Sequence, residues 1–247
     1  MSTLAALTYE EVATLCASGR AVVIVPVGSV EPHGPHLPLD TDTVISETCA
    51  VRAVAVLAEK GITAVVAPSV PYGVTDYASG FAGAIGVPAA ALTAMLRGIA
   101  EKLLGTGFAH VSFVNNHLEP AHDAAVRAAI EGLPKGAASV ACPLTRRWGR
   151  TLSDEFKRGD CHAGRYETSL VMAAGKVVRE GFAALPTLDV SLAVAIKEGK
   201  STFAEIGLPR AYTGAPKEAT QDEGEALYAK LVTMVVTEIE EGLAARG

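Results

Sequence analysis

Residues 21–27 read AVVIVPV and lead directly into GSVEPHGPHLPLDTD at 28–42. The first stretch is continuously apolar and mostly β-branched, which is typical of a parallel strand buried on both faces. Prolines at positions 32, 35 and 38 exclude a regular helix over the second stretch. Together the two stretches predict a central strand followed by a stiff loop at its carboxyl end.

The rest of the chain alternates between helix-like and strand-like patterns. Helices are predicted over 43–60, 89–104 and about 120–131, and strands over 62–67, 110–114 and 137–142. Two further helices are predicted over 163–174 and 217–244. This alternation predicts an α/β fold, a layered sandwich with a mainly parallel central sheet flanked by helices. We expect one domain over 1–247. Residues 183–216 fit no pattern and could form a lid or an oligomer contact.

Composition narrows the class of protein. Of the 247 residues 49% are hydrophobic, and 21 basic residues against 27 acidic ones give a net charge of -6. Such a chain can bury its own core, and its acidic balance argues against a nucleic-acid or membrane partner. No run of about 18 apolar residues predicts a membrane span. Without a signal-peptide pattern and with four scattered cysteines, we expect reduced thiols and a cytoplasmic location.

The loop after the first strand carries three side chains suited to metal binding. In an extended chain, residues i and i+2 point the same way, so Glu31 and His33 can face one point in space. Asp42 follows nine residues after His33, far enough for the loop to fold back. Two carboxylates and an imidazole suit a divalent ion such as Zn, Mn or Fe. A proline-stiffened surface loop is the alternative interpretation.

A second histidine and carboxylate pair follows the strand predicted at 110–114. His117 and Glu119 repeat the i, i+2 spacing at the start of a predicted helix. With the first loop they supply enough ligands for two metal ions that share one carboxylate. Taken alone, the segment fits an ordinary helix start, with Asn116 as the cap and Glu119 favoured by the helix dipole.

A third segment places His162 and Glu167 about one helical turn apart. His162 could be a ligand or a general base, and Glu167 a ligand or the partner that fixes the tautomer of His162. A structural glutamate in the first turn of a helix is the alternative. We assign structural roles to His110 and His122, and no second feature supports Cys161 as a nucleophile.

The three segments together resemble the creatininase (creatinine amidohydrolase) family. Residues 28–42 closely match the family pattern Gly-Ser-x-Glu-x-His-Gly-Pro-His-Leu-Pro-Leu-x-x-Asp. Asn116-His117-Leu118-Glu119 resembles the His-x-Glu form of the second motif, and residues 162–169 match the third. Residues 214–224 are similar to a signature near the C-terminus, so the resemblance covers about residues 20–235.

The resemblance implies two divalent ions per subunit, Zn or Mn, with Fe as a further option. Asp42 would bridge the two ions. Glu31 and His117 would complete the ligands of one ion. His33 and Glu119 would complete those of the other. A water between the ions would be the nucleophile, its pKa lowered by the two cations.

Other residues receive supporting roles by the same resemblance. His162 would shuttle a proton to the leaving nitrogen, and Glu167 would be a supporting acid or a partner behind the ligands. His36 would orient the loop rather than bind metal. The expected assembly is a homohexamer of α/β domains.

The implied reaction is hydrolysis of a C–N bond, other than a peptide bond, in a small cyclic amide. Leu118 stands where creatininase has an aromatic residue, and Trp148 is the only tryptophan. Residues 81–84 read FAGA where relatives often have Phe-Pro-Gly-Thr. A formamide, an imide, a cyclic carbonyl compound or a precursor peptide therefore stay open as substrates. A non-catalytic binding subunit is a rival hypothesis, and a nucleotide-binding protein is a third that the missing glycine fingerprints disfavour.

Overall fold

A four-stranded parallel sheet forms the centre of the computed structural model, which describes residues 3–246. The strands are β1 (Val22–Val27), β2 (Ala64–Val66), β3 (His110–Asn115) and β4 (Ala138–Ala141). They lie in the order β2-β1-β3-β4, and every neighbouring pair is parallel. All six residues of β1 are buried, as the apolar run at 21–27 predicts.

Ten α-helices occur in the described part of the chain. They are α1 (Tyr9–Ala17), α2 (Thr41–Glu59), α3 (Ala89–Thr106), α4 (Pro120–Ala128), α5 (Arg146–Gly149), α6 (Asp154–Arg158), α7 (Arg165–Ala173), α8 (Leu192–Lys197), α9 (Phe203–Ile206) and α10 (Gln221–Ala245). Three short 3-10 turns, Leu4–Ala6, Glu180–Ala184 and Pro216–Glu218, complete the helical elements. None of these helices is long and apolar enough to cross a membrane.

Helices cover both faces of the sheet. One hydrophobic core joins α2, α7 and α10 to the face that carries Val22 and Ile24. A second core joins α1, α3 and α4 to the face that carries Val23 and Val25. Alternate residues of β1 thus enter opposite cores, as the two-residue period of a strand requires. The predicted layered α/β sandwich is confirmed.

The predicted elements are present, with shifted ends. Helix α2 begins at Thr41, two residues before the predicted start, and β2 is shorter than the predicted 62–67. Helix α10 begins at Gln221 rather than at 217, because Thr220 caps it by accepting the N–H of Glu223. Residues 183–216, which fitted no pattern, contain α8, α9 and the connections around them.

The topology creates a crevice at the carboxyl edge of the sheet. Strands β1 and β3 are neighbours, yet the chain leaves β1 for α2 on one face and β3 for α4 on the other. Such a switch point is where open α/β sheets bind ligands. The first two histidine segments follow these two strands, so the fold brings them to one place.

Candidate metal centre and active site

The loop after β1 is held so that its polar side chains point inward. The Glu31 N–H donates to the Leu39 carbonyl at 3.1 Å, which closes the loop on itself. A Cβ at Gly28 would collide with Thr43, so only glycine lets the first turn of α2 approach this closely. That approach carries Asp42 under the loop, where it is buried.

Six titratable side chains from the three segments meet in the crevice. This buried cluster consists of Glu31, His33, Asp42, His117, His162 and Glu167. Within it, three groups have ligand atoms less than 4.8 Å apart: Glu31 with Asp42 and His117, His33 with Asp42 and Glu167, and Glu31 with His33 and His162. The loop, strand-end and helix-start positions of the motifs therefore converge.

Asp42 stands at the centre of the buried cluster. Its Oδ1 lies 3.1 Å from His33 Nε2, and its Oδ2 lies 3.0 Å from His117 Nδ1. On one side, Glu31 Oε1 lies 3.4 Å from His117 Nδ1. On the other side, Glu167 Oε2 lies 3.6 Å from His33 Nε2. The two oxygens of one carboxylate thus face two separate sets of ligand atoms.

Both imidazoles present one nitrogen to Asp42 and use the other on the backbone. His33 Nδ1–H donates to the Glu31 carbonyl at 3.1 Å, and His117 Nε2–H donates to the Val74 carbonyl at 2.6 Å. Such bonds aim the other ring nitrogen at a ligand position, where a bound metal ion would replace its proton. The Asp42 Oδ2 is buried and accepts no hydrogen bond from the described residues. The set of carboxylate and imidazole donors fits divalent Zn or Mn.

Opposite charges shift the protonation of this cluster. Burial disfavours a charged ring, but Asp42, followed by Glu167, raises the pKa of His33 to about 10. Burial also opposes ionisation of Glu31, and His117 outweighs it and lowers the pKa of Glu31 to about 2. The pKa of Asp42 is lowered by His33 and His117 against the same burial cost. The carboxylates are therefore ready as anionic ligands.

The two remaining glutamates occupy different places. Glu167 Oε2 accepts the Ala163 N–H at 2.6 Å and faces His33, and burial raises the pKa of Glu167 to about 8. Glu119 accepts the N–H groups of Asp76 at 3.2 Å and Tyr77 at 3.4 Å, and burial raises its pKa to about 7. Among the described residues, the structure groups Glu167 with His33 and leaves Glu119 outside all three ligand groups.

His162 is held between the buried cluster and an aromatic ring. Its Nε2–H donates to the Pro32 carbonyl at 3.1 Å, so Nδ1 carries the lone pair and lies 3.9 Å from Glu31 Oε1. The ring stacks on Phe203 with centroids 4.6 Å apart and planes at 28°. Burial, with His33 nearby, lowers the pKa of His162 to about 4, so the ring is neutral at physiological pH.

The other sequence-derived candidates lie behind or outside the cluster. His36 Nε2 bonds the Thr168 hydroxyl at 2.9 Å, which ties the first loop to α7. His110 bonds Gly136 and Ser139 at the opposite end of the sheet. Burial raises the pKa of the Cys161 thiol, which disfavours a thiolate nucleophile. Asn116 does not cap α4: its side chain donates to the Ser46 hydroxyl at 3.1 Å.

A cavity of about 350 Å³ opens onto the buried cluster. One side is an apolar wall made by Leu192, Ala193, Ile196 and Phe203, all from the segment that the sequence left unassigned. Further apolar side chains of the lining are Leu118, Pro120, Leu144 and Phe156. The cavity therefore joins a polar, charged floor to a hydrophobic chamber, the arrangement common in small-molecule sites.

Sequence comparison now assigns the family. The sequence model described as creatinine amidohydrolase matches residues 5–239. The chain belongs to the creatininase family. It is 32% identical over 222 residues to the mycofactocin precursor peptide peptidase of Mycolicibacterium smegmatis, covering 85% of this chain and 81% of that protein. Over 118 residues it is 30% identical to creatinine amidohydrolase of Pseudomonas putida, covering 46% and 44% of the two chains.

Solved structures of the family have the same fold. A mutant creatininase of the Zn-Zn type matches with a TM-score of 0.75 at 19% identity, covering 98% of this chain and 99% of that chain. A creatininase described with Mn matches with a TM-score of 0.71 at 20% identity, covering 98% of each chain. The chain is thus a creatininase-family hydrolase with residue clusters suited to metal, as the resemblance implies.

Sequence reasoning missed the residues that support this creatininase-like site. Phe203 is the only phenylalanine of residues 183–216, a segment without periodicity, and nothing nearby in sequence links it to His162. Val74 and Thr75 act through a carbonyl and a hydroxyl, which carry no metal signature. The only available signal was their position in the glycine-rich stretch 68–88, a loop after a strand at the carboxyl edge of the sheet.

Proposed function

We propose that this creatininase-family chain is a dinuclear metal-dependent hydrolase that cleaves the C–N bond of an amide. The observation that carries the proposal is the placement of Asp42. Each of its oxygens faces a different imidazole nitrogen, at 3.1 and 3.0 Å. Both imidazoles are oriented by backbone carbonyls. A carboxylate placed in this way can bridge two cations.

The distances favour one particular set of ligands. One ion would be held by Glu31, Asp42 and His117. The other would be held by His33, Asp42 and Glu167. Glu167 then takes the position that the family resemblance gives to Glu119. Zn and Mn suit these donors, and both metals are named in related creatininase structures. When bound, the ions would supply Lewis acidity and a water of lowered pKa.

Two side chains of the chain can move the protons. Hydrolysis adds water across the C–N bond, so one proton leaves the water and one reaches the leaving nitrogen. His162 is neutral, with Nε2–H fixed on Pro32 and Nδ1 turned to the cluster. That nitrogen can take the water proton and return it to the leaving group. Glu119 lines the cavity and can also hold a proton near neutral pH.

The cavity bears on the size of the substrate. Its volume of about 350 Å³ lies within the range of roughly 300–1,000 Å³ typical of drug-sized ligands. A small cyclic amide such as creatinine is one candidate substrate. A short peptide with an apolar residue is the second candidate, favoured by the apolar wall. The similarity to a mycofactocin precursor peptide peptidase, which extends over most of this chain and most of that protein, also favours a peptide.

The first test is the metal content of protein purified without chelator. We expect about two divalent ions per chain and loss of both in Asp42→Ala, because one carboxylate serves both sites. Asp40→Ala is the matched control, since Asp40 is exposed and its side chain makes no capping bond. Cyclic amides and short apolar peptides are then screened for hydrolysis. Full metal content and activity in Asp42→Ala would overturn the bridging role.

A further inference from the structure

Two buried histidines contact the same residue, Val74. His117 Nε2–H donates to the Val74 carbonyl at 2.6 Å, and the Val74 N–H donates to His122 Nδ1 at 3.2 Å. His117 lies just before α4, and His122 lies in its first turn. The two rings meet edge to face, with centroids 4.6 Å apart. Val74 is thus fixed on both its backbone groups by side chains from one connection.

The surroundings of His122 hold its ring in place for the hydrogen bond with the Val74 N–H. The His122 side chain is fully buried. A Cβ at position 73 would collide with its ring, so Gly73 leaves the space that the ring occupies. Because Nδ1 accepts the Val74 N–H, it carries no proton, and the ring proton resides on Nε2. This hydrogen bond therefore sets both the position and the tautomer of His122.

The residues that follow Val74 serve the same side of the buried cluster. The Thr75 hydroxyl donates to the Glu31 carboxylate. The N–H groups of Asp76 and Tyr77 donate to Glu119. Residues 73–77 thus support His117, Glu31 and Glu119. His33 is instead oriented by the carbonyl of Glu31 in its own loop.

We propose that His122 is a positioning residue for only one of the two metal subsites, the one formed by Glu31, Asp42 and His117. His122 anchors the Val74 N–H, the Val74 carbonyl then orients His117, and His117 Nδ1 would be available to hold a cation. The proposal rests on the dinuclear function proposed above. Mutation of a residue that hydrogen-bonds a metal ligand typically weakens metal affinity by about 10–100-fold.

The test is competition for Zn²⁺ between the metal-free protein and a chromophoric chelator, which resolves two binding steps. We expect His122→Leu to weaken one step by about 10–100-fold and leave the other unchanged. His117→Ala identifies which step belongs to this subsite. His122→Asn should restore binding to nearly the parent value, because its side-chain oxygen can accept the Val74 N–H.

The controls separate this proposal from its premise. His110→Leu removes another buried histidine, one bonded to Gly136 and Ser139 outside the site, and should leave both steps unchanged. Gly73→Ala would displace the His122 ring and also press on the Gly28 carbonyl, and it should weaken the same step even where His122→Leu folds poorly. Parent-like binding in His122→Leu and Gly73→Ala, or equal weakening of both steps, would overturn the role of His122. Parent protein that binds fewer than two ions would instead refute the dinuclear site.

Discussion

The floor and the wall of the cavity are built differently. The buried cluster is carried by the loops that follow β1 and β3 and by the starts of α2 and α7, and its residues are at most 8% exposed. The apolar wall stands on α8 and α9, helices of six and four residues. Its core is a small separate one in which Phe203 and Ile206 pack on Ala78 and Leu208. The buried cluster, called the floor below, has its geometry fixed by the sheet and by long helices. The short helices of the wall can differ in sequence and shape without moving the floor.

This difference separates chemistry from specificity. Every ring nitrogen of His33 and His117 is committed, either to a backbone carbonyl or to a cluster carboxylate. A change in one of these contacts would disturb the metal ligand that it orients. The side chains of the apolar wall make non-directional hydrophobic contacts, which tolerate changes of shape better. We therefore expect variants of the floor and of the wall to affect different measured quantities.

The largest expected effect is on stability, through removal of the ions from the floor. Each ion present at 100 times its Kd stabilises the folded state by about 2.7 kcal/mol. Two such ions contribute about 5 kcal/mol, which corresponds to roughly 10–20 °C in Tm for a chain of this size. We expect chelation to lower Tm by this amount and Zn²⁺ or Mn²⁺ to restore it, as measured by calorimetry. An unchanged Tm after complete metal removal would contradict metal binding by the folded cluster.

The next effect is on turnover, at the boundary between floor and wall. His162→Ala should retain both ions, because His162 belongs to neither proposed ligand set. Loss of a proton-transfer group should reduce kcat by about 10²–10⁴-fold. Elemental analysis and steady-state kinetics on one preparation measure both quantities. Loss of metal together with activity would make His162 a ligand, which is the other role that its sequence position allows.

The sequence predicted the floor better than the wall for a physical reason. The run at 21–27 and the prolines at 32, 35 and 38 are local signals, and they sufficed to place Glu31, His33 and Asp42 at one strand end. Local sequence does not determine which glutamate lies beside His33. Glu119 and Glu167 both lie at helix starts. The choice depends on the loop before α7 docking His162 on the Pro32 carbonyl, a contact between residues 130 positions apart.

The position of the wall depends even more on contacts between residues that are distant in sequence. Helices α8 and α9 are too short to show a helical period, and their order depends on tertiary contacts. The Phe203 N–H donates to the Tyr77 carbonyl at 2.8 Å, and its ring packs against His162 and Phe81. All of these partners are distant in sequence. The sequence of residues 183–216 therefore carries no local signal that predicts their place over the site.

The smallest effect is expected for Phe203→Leu. This variant is also the sharpest test of whether the floor sets the chemistry and the wall sets substrate specificity. Leucine keeps the site apolar but is smaller than the buried phenylalanine, so it loses the stacked ring and leaves a small cavity, at a cost of about 0.5–3 kcal/mol of stability. A small change in the apolar contacts of a pocket alters the binding of the transition state by about 1–3 kcal/mol. We therefore expect kcat/KM to fall by about 10-fold. Because the wall contacts ground state and transition state alike, the change should appear mainly in KM. Metal content should not change. If kcat falls instead, with KM constant, then Phe203 acts by holding the His162 ring, and floor and wall form one catalytic unit.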